Sequence, residues 1–329
     1  MPQPSIPYAC ARLSSLETGL LDQQAVRRMA EGSLEDAMRT LQDIHYGGIP
    51  DATSADIERM IDNVRVQTAQ EIREISPKPA ITDLFLLRTD IQNLKVLIKA
   101  RLLNDPEAET EAGGLFDPET LRKMVSDQNY RDLPETIADA LDELERDLKS
   151  EVEPQKISVT LDRAYLSYAK KTAEKEKDSF AINYFKALCD FDNMITFLRM
   201  RAMGAPREDL KDVALPVGGI RIEDLYAAYE LSYDSMKSVL TESVARDPLE
   251  KGLAEMQVTG SIGALERERD NYLLSLVKNH KYDALTMYPV YGYYFARERE
   301  AKAVRLILTG KRNGLDDSVI QERLCELYG

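Results

Sequence analysis

The chain has 329 residues, of which 43% are hydrophobic and 30% charged, and its formal net charge is -14. That is enough apolar material for one large or two to three ordinary domains, and it is not the composition of a disordered chain. The acidity excludes a general nucleic-acid binder, because phosphate binding needs clustered Lys and Arg to displace counterions.

Three cysteines, Cys10, Cys189 and Cys325, are odd in number, far apart and outside any CxxC. They read as buried thiols in a reducing compartment, not as a disulfide framework. No N-terminal stretch combines a basic region with an apolar run, so no secretory signal is expected. No apolar segment reaches the ~20 residues needed to cross a bilayer. ALTMYPVYGYYFA, residues 284–296, is too short and holds Pro289 and Gly292.

In chain order, nearly every segment has helical periodicity. ETGLLDQQAVRRMA places Leu21, Ala25, Arg28 and Met29 at helical offsets. SLEDAMRTLQDI follows, with Ser33 as N-cap and Asp36 three residues on, close to a capping box. TSADIERMIDNVRVQTAQEIREI gives Ile57, Met60, Ile61, Val64 and Thr68, a seam on one helix face. PETIADALDELERDLKSEV and the long run from ISVTLDRAYL to FLRMRAM continue the style. VALPVGGIRI is the only strand-like stretch, and Pro216, Gly218 and Gly219 make it a turn. Breaks fall at SPKPA, DPEAETEAGGLFDPE, GAPRED to PVGG, VTGSIG and TGKRNGLDD. The fold class is all-α, built from many medium helices.

One helix recurs. Counting from an acid at 0, Asp90 is followed by Asn93 at +3, Leu97 at +7 and Arg101 at +11. Asp190, Asn193, Phe197 and Arg201 repeat the order, and Glu300, Ala303, Ile307 and Lys311 give a third version. Offsets 0, 3, 7 and 11 share one face of a helix with ~3.6 residues per turn. A second apolar stripe at +1, +4 and +8 broadens that face: Ile91, Leu94, Ile98; Phe191, Met194, Leu198; Ala301, Val304, Leu308. Each copy leads to a glycine and a new helix, opening LFDPETLRKM, IRIEDLYAAY and LDDSVIQERL, and LLDQQAVRRM near the N-terminus is a fourth opening. The unit is about 100 residues long, and self-similarity at a fixed period means repeated structural units. The boundaries expected are 1–114 for a first helical domain with an N-terminal helix, 115–219 for a second and 220–329 for a third.

The three acids and three bases admit two readings. They form a site gathered around an axis, or each bonds a neighbouring helix or a loop backbone. Acid and base stand about three turns apart on one helix and do not pair with each other, and buried polar groups need partners. The packing role is therefore preferred. Dedicated chemistry is thin. There is no GxxxxGK[ST], GxGxxG or GxSxG, and Gly310-Lys311 lacks the rest of a P-loop. His45 and His280 sit in no HxxxH and near no cysteine, so no zinc site is expected. Asp316-Asp317 has no third carboxylate at metal-box spacing. No catalytic, cofactor-binding or metal-ligating residue is assigned. Tyr288, Tyr291, Tyr293 and Tyr294 with Phe295 read as core, with an interface patch as the other reading.

Charge is uneven along the chain. Residues 105–153 hold 16 Asp or Glu against 5 Lys or Arg, a net of -11, and residues 278–312 hold 8 basic against 3 acidic, a net of +5. Such runs are either solvated helix faces, the preferred reading, or two surfaces that meet different partners.

The N-terminal run YACARLSSLETGLLDQQAVRRMAEGSLEDAMRTLQDIHYGG, residues 8–48, resembles the opening of the C subunit of the archaeal and bacterial A/V-type ATPases, the counterpart of the d subunit of eukaryotic V-ATPases. That opening likewise runs from a tyrosine through an arginine helix and a Leu-Leu turn to a tyrosine-glycine. TDIQNLKVLIKARLL is the second match, and ARERE followed by LILTGKRNGL, residues 296–315, is the third. The resemblance spans essentially the whole chain and rests on the order of diffuse motifs. It implies three similar helical domains around a pseudo-three-fold axis, forming a funnel. It implies a non-catalytic central-stalk subunit, without cofactor, on the cytoplasmic face of the membrane proteolipid ring. There it receives the end of the rotor shaft and passes torque to the ring for ion transport, in ATP synthesis or hydrolysis. The choice of proton or sodium ion falls to the ring. On this reading the acidic and basic runs lie at different ends of the funnel. Two rivals are a helical-repeat scaffold with soluble partners, whose common forms have shorter periods, and an all-α enzyme using carboxylates and a divalent metal.

Overall fold

The structure is a computed structural model that describes residues 3–148 and 153–328, without the side chains of residues 233 and 234. Every regular element among the described residues is helical. The α-helices are α1 (Ile6–Leu16), α2 (Gln23–Glu31), α3 (Leu34–Asp43), α4 (Ile57–Ile75), α5 (Pro79–Leu103), α6 (Pro118–Asp127), α7 (Glu135–Asp147) and α8 (Pro154–Lys175). They continue as α9 (Ser179–Met203), α10 (Leu210–Val213), α11 (Ile222–Ala227), α12 (Tyr233–Met236), α13 (Arg246–Thr259), α14 (Gly263–Lys278), α15 (Tyr288–Arg312) and α16 (Asp317–Arg323). The all-α expectation holds. VALPVGGIRI is no strand: α10 ends at Val213 and the rest is irregular up to α11.

Short polar side chains set where the helices start. The Asp22 carboxylate accepts from Ala25 N at 2.6 Å and opens α2. Ser33 and Asp36 form the full capping box expected for α3, Ser33 Oγ accepting from Asp36 N at 3.1 Å and Asp36 Oδ2 from Ser33 N at 3.1 Å. Each such cap satisfies an N–H that the first turn leaves orphaned and stabilises by ~1 kcal/mol.

The chain divides into two compact units. One comprises Met1–Thr89, Glu111–Asp117 and Leu274–Gly329. Its core joins both ends of the sequence: Leu21, Val26, Met29, Leu41, Ile57, Met60 and Ile61 pack with Ala301, Val304, Ile307, Leu308, Ile320 and Leu327. Helix α15 runs against α4 and touches α1, α2, α3 and α16. Tyr291, Tyr293 and Tyr294 are buried, and Phe85 stacks on Tyr294 at 5.9 Å, so the aromatic run is core there. Tyr294 Oη donates to Phe85 O at 3.0 Å.

The other unit comprises Asp90–Thr110 and Pro118–Leu273. Helix α8 lies between α7 and α9. Phe185, Phe191 and Phe197 of α9 are fully buried, and Phe185 meets Tyr165 of α8 edge-on at 5.9 Å. Of the three thiols only Cys189 is buried, and Cys10 and Cys325 are partly exposed, so buried thiols are found once and not three times. No helix among the described residues is long and apolar enough to cross a membrane.

Gly292 in the tyrosine run has a specific use. A Cβ there would press into the ring of Tyr328, which is 3% exposed. Tyr328 packs against α15 only because that position lacks a side chain. Gly292→Ala should displace the C-terminal segment, lower stability by about 1–3 kcal/mol and speed digestion by carboxypeptidase. An unchanged melting temperature and digestion rate would show that the Tyr328 contact is dispensable.

Candidate functional site

The recurring helices are α5, α9 and α15, each of 25 residues. Asp90, Asp190 and Glu300 are all buried, at 0%, 0% and 2% exposure. That burial turns each acid into a constraint, because an ionised carboxylate in the interior requires donors around it.

Asp190 shows how the requirement is met. Its Oδ1 accepts from Ile220 N at 3.0 Å and its Oδ2 from Ser243 Oγ at 2.6 Å. Three residues on, Asn193 Oδ1 accepts from Leu215 N at 2.7 Å while Asn193 Nδ2 donates to Leu215 O at 2.8 Å. The strand-like VALPVGGIRI therefore satisfies its backbone on two side chains of α9 instead of on another strand. Gly218 and Gly219 permit the approach: a Cβ on Gly218 would collide with Asp190 Oδ1, and one on Gly219 with Glu242 O. Burial pushes the Asp190 carboxyl above the ordinary range, against the pull of Ser243, Ile220 and Gly219.

Glu300 does the same work with one more methylene. It accepts from Leu21 N, the residue ahead of the N-cap of α2, as Ile220 is ahead of the N-cap of α11. Its second oxygen accepts from Arg297 Nη1 at 2.8 Å. Burial raises the Glu300 carboxyl, and Arg297 and Leu21 oppose the rise.

The bases at +11 hold the far end of an opening helix. Arg101 Nη1 donates to Val125 O at 2.8 Å, and Lys311 Nζ donates to Ala30 O at 2.8 Å. Val125 and Ala30 are each the eighth residue of their helices, α6 and α2. Each base also meets an acid: Arg101 Nη2 lies 2.6 Å from Glu145 Oε2, and Lys311 Nζ 2.8 Å from Asp317 Oδ1. Tyr130 Oη donates to the same Glu145 at 2.5 Å. Arg201 donates to Met236 Sδ at 3.0 Å, with its guanidinium 5.6 Å from the Phe197 ring. Eleven residues at ~1.5 Å rise set the acid and the base of each helix about 16 Å apart along its axis, too far to bond each other.

Sequence reasoning missed an ion-pair cluster around one buried arginine. Arg65 of α4 is 5% exposed, and its Nη1 lies 2.9 Å from Glu111 Oε2. Glu111 also takes Arg305 Nη1 at 2.6 Å, and Arg305 Nη2 reaches Glu58 at 2.8 Å. Burial alone would raise the Glu111 carboxyl, but Arg65 and Arg305 together pull it below the ordinary range. Nothing in the spacing of Arg65 marks it, because its partners Glu111 and Glu298 lie 46 and 233 residues away (111 less 65; 298 less 65).

These partners correct the reading of the basic run as a solvated face. Arg297 and Arg299 are buried, Arg305 is paired, Lys311 is bonded to backbone, and Lys278 Nζ donates to Leu327 O at 3.0 Å. Arg297, Arg305 and Lys311 thus meet carboxylates or carbonyls of the fold, while Lys302 and Arg312 are exposed as a solvated face requires. In the acidic run, Asp127, Asp132, Glu135, Asp139, Asp142 and Glu143 are exposed, as a solvated face requires, while Glu145 is bonded inside and the part-exposed Glu111 is paired with Arg65 and Arg305. Residues 149–152 of that run lie outside the described residues.

No three His, Cys, Asp or Glu side chains converge to hold a metal ion among the described residues. A groove of about 390 Å³ between α7 and α8 is lined by Glu143, Asp147, Lys156 and Arg163. Lys156 is paired with Asp147 at 2.8 Å, and Arg163 donates to Ala214 O and Lys211 O. Such groups hold helices and loops in register.

The family model described as ATP synthase (C/AC39) subunit matches residues 9–323. The C subunit of the V-type sodium ATPase of Enterococcus hirae is 24% identical, over 87% of this chain and 87% of that protein. The C subunit of the A-type ATP synthase of Thermococcus onnurineus is 25% identical, over 98% of this chain and 89% of that protein. That of Methanocaldococcus jannaschii is 25% identical, over 97% and 86%.

Two measurements check the polar ties. Asn193→Ala strips Leu215 N–H of its acceptor and leaves Leu215 O only the weak Cys189 Sγ donor at 3.4 Å, and should cost about 1–3 kcal/mol in urea unfolding. A loss below ~0.5 kcal/mol would mean that water replaces the amide. Asp190 holds its proton more tightly in the native chain than at the ordinary aspartate value of ~3.9. Wild type therefore gains stability as pH falls through the native value, a gain present in full only below the unfolded value. Asp190→Asn cannot titrate, so the stability difference should move in favour of wild type between about pH 7 and pH 4. A difference that stays flat, or moves the other way, would mean that the three donors outweigh burial.

Proposed function

The chain belongs to the ATP synthase (C/AC39) subunit family, and on that premise we propose that it is the non-catalytic rotor coupler of an A/V-type ATP synthase or ATPase. In this role it joins the rotor shaft to the membrane proteolipid ring, on the cytoplasmic face of the membrane, and passes torque between them while ions cross. It works there as one part of a large hetero-oligomeric complex. Three helical domains, 1–114, 115–219 and 220–329, stand around a pseudo-three-fold axis and form the socket.

The observation that carries the reading is the use of the buried polar residues. At Asp190, Asn193 and Glu300, and at Arg101 and Lys311, the side chain holds backbone of another segment in place. A part that transmits torque needs stiffness across the whole body and reactive groups nowhere. Packed helices with fixed crossings supply that stiffness. Broad joints of ~1,600 Å² or more would then hold the shaft and the ring.

The test is to recover the tagged chain from gently solubilised native membranes and identify what accompanies it by mass spectrometry. The expected companions are a small membrane proteolipid, a coiled-coil shaft protein and an ATP-hydrolysing head. Recovery of soluble partners alone, with none of the chain on membranes, would overturn the coupler and leave a scaffold.

A further inference from the structure

The three long helices are joined to their predecessors in unequal ways. Residues 76–78 join α4 to α5 and residues 176–178 join α8 to α9, three residues each. Residues 279–287, nine in number, join α14 to α15. Closing the turn takes three residues, so six are surplus at one of three equivalent positions. The surplus carries two of the most exposed large apolar side chains of the chain, Tyr282 at 86% and Leu285 at 81%.

The loop is built, not slack. His280 stacks on Tyr288 with ring centroids 4.3 Å apart and bonds Asp283 at 2.8 Å. Thr286 N donates to Asp283 O at 3.0 Å, and Thr286 Oγ1 to the same oxygen at 2.8 Å. Lys281 Nζ sits 5.1 Å from the Tyr282 ring centroid and 5.6 Å from that of Tyr328. Met287 is buried and fixes the far end. A loop ordered in advance presents its side chains without the entropy cost of ordering them on contact, which is how rigid recognition tips gain affinity.

We propose that residues 280–286 are a docking tip for the rotor shaft, with Tyr282 and Leu285 entering an apolar recess on its helical surface and Lys281 meeting a carboxylate at the rim. The proposal rests on the coupler reading. A socket of three equivalent domains accepts a shaft in three equivalent orientations, and torque transmission needs one. A feature present on one connecting turn in three selects that one. A ring of identical subunits offers no unique angle and gives such a feature nothing to select. A lipid surface is a poorer fit too. Even a whole myristoyl chain binds bilayers only marginally, at K ~10⁴ M⁻¹, and a chain of net charge -14 is repelled by anionic headgroups.

The experiment uses the assembled complex. Tyr282→p-benzoyl-phenylalanine is introduced in the full chain, the purified complex is irradiated, and the adduct is identified by mass spectrometry. An adduct on the shaft polypeptide is expected. An adduct confined to the proteolipid, to lipid or to the head would overturn the proposal while leaving the coupler standing. If wild type recovers no such complex, the coupler reading itself fails and takes the tip with it. The double variant Tyr282→Ser, Leu285→Ser should melt as wild type does, because both side chains are exposed, and should bind purified shaft at least ~10-fold more weakly. Unchanged affinity would overturn the tip.

Discussion

A carboxylate buried inside a helix bundle dictates where the chain goes next. Its lone pairs must be met, and the least costly donors are backbone N–H groups that a neighbouring segment would otherwise leave unsatisfied. Asp190 draws the loop before α11 onto α9 through Ile220 N. Glu300 draws the segment before α2 onto α15 through Leu21 N. The base eleven residues on takes a carbonyl at the other end of an opening helix, Val125 O for Arg101 and Ala30 O for Lys311. Glu300 and Lys311 thus clamp α2 at both ends. The segment clamped by α15 comes from the start of the chain, so the last long helix is completed by the first opening helix.

This closure explains the composition of the core around α15. Leu21, Val26 and Met29 bury against Val304, Ile307 and Leu308, although nearly 280 residues separate them in sequence. The apolar face provides most of the attraction, at roughly 25 cal/mol per Å² of buried surface. The two polar ties contribute less energy and more register, since sliding α2 along α15 by one turn would strand a carboxylate and an ammonium together. Buried polar networks of this kind specify one arrangement when every member is satisfied.

Much of this was legible in the sequence, and the illegible part has a physical reason. The 0, 3, 7, 11 pattern located three helices and placed the acid and the base on a buried face, because helical period is a local property. The capping box at Ser33 and Asp36 was readable for the same reason. The preference for packing partners over a chemical site agrees with the bonds of Asp190, Asn193, Glu300, Arg101 and Lys311. Which backbone atoms they would take was not readable, because Leu21 N and Ala30 O carry no signature. Arg65 was invisible as well: its burial depends on Glu111 and Glu298, brought to it only by the fold. Charge summed along a stretch also misled. A sum over 278–312 cannot tell a cation facing water from one facing a carboxylate.

That last point decides how stiffness arises. Exposed pairs such as Arg27 with Glu31 are screened by solvent and would yield under load. Arg65, Arg101 and Lys311 sit in partly buried ties whose second member belongs to another segment of the chain. Breaking one leaves a charge or a backbone group without a partner, which costs several times more than the intact tie contributes. The ties therefore add little to equilibrium stability and much to the resistance of any one helix to shear against its neighbours. Within each unit that asymmetry gives stiffness, because small displacements are opposed before the apolar contacts have been lost.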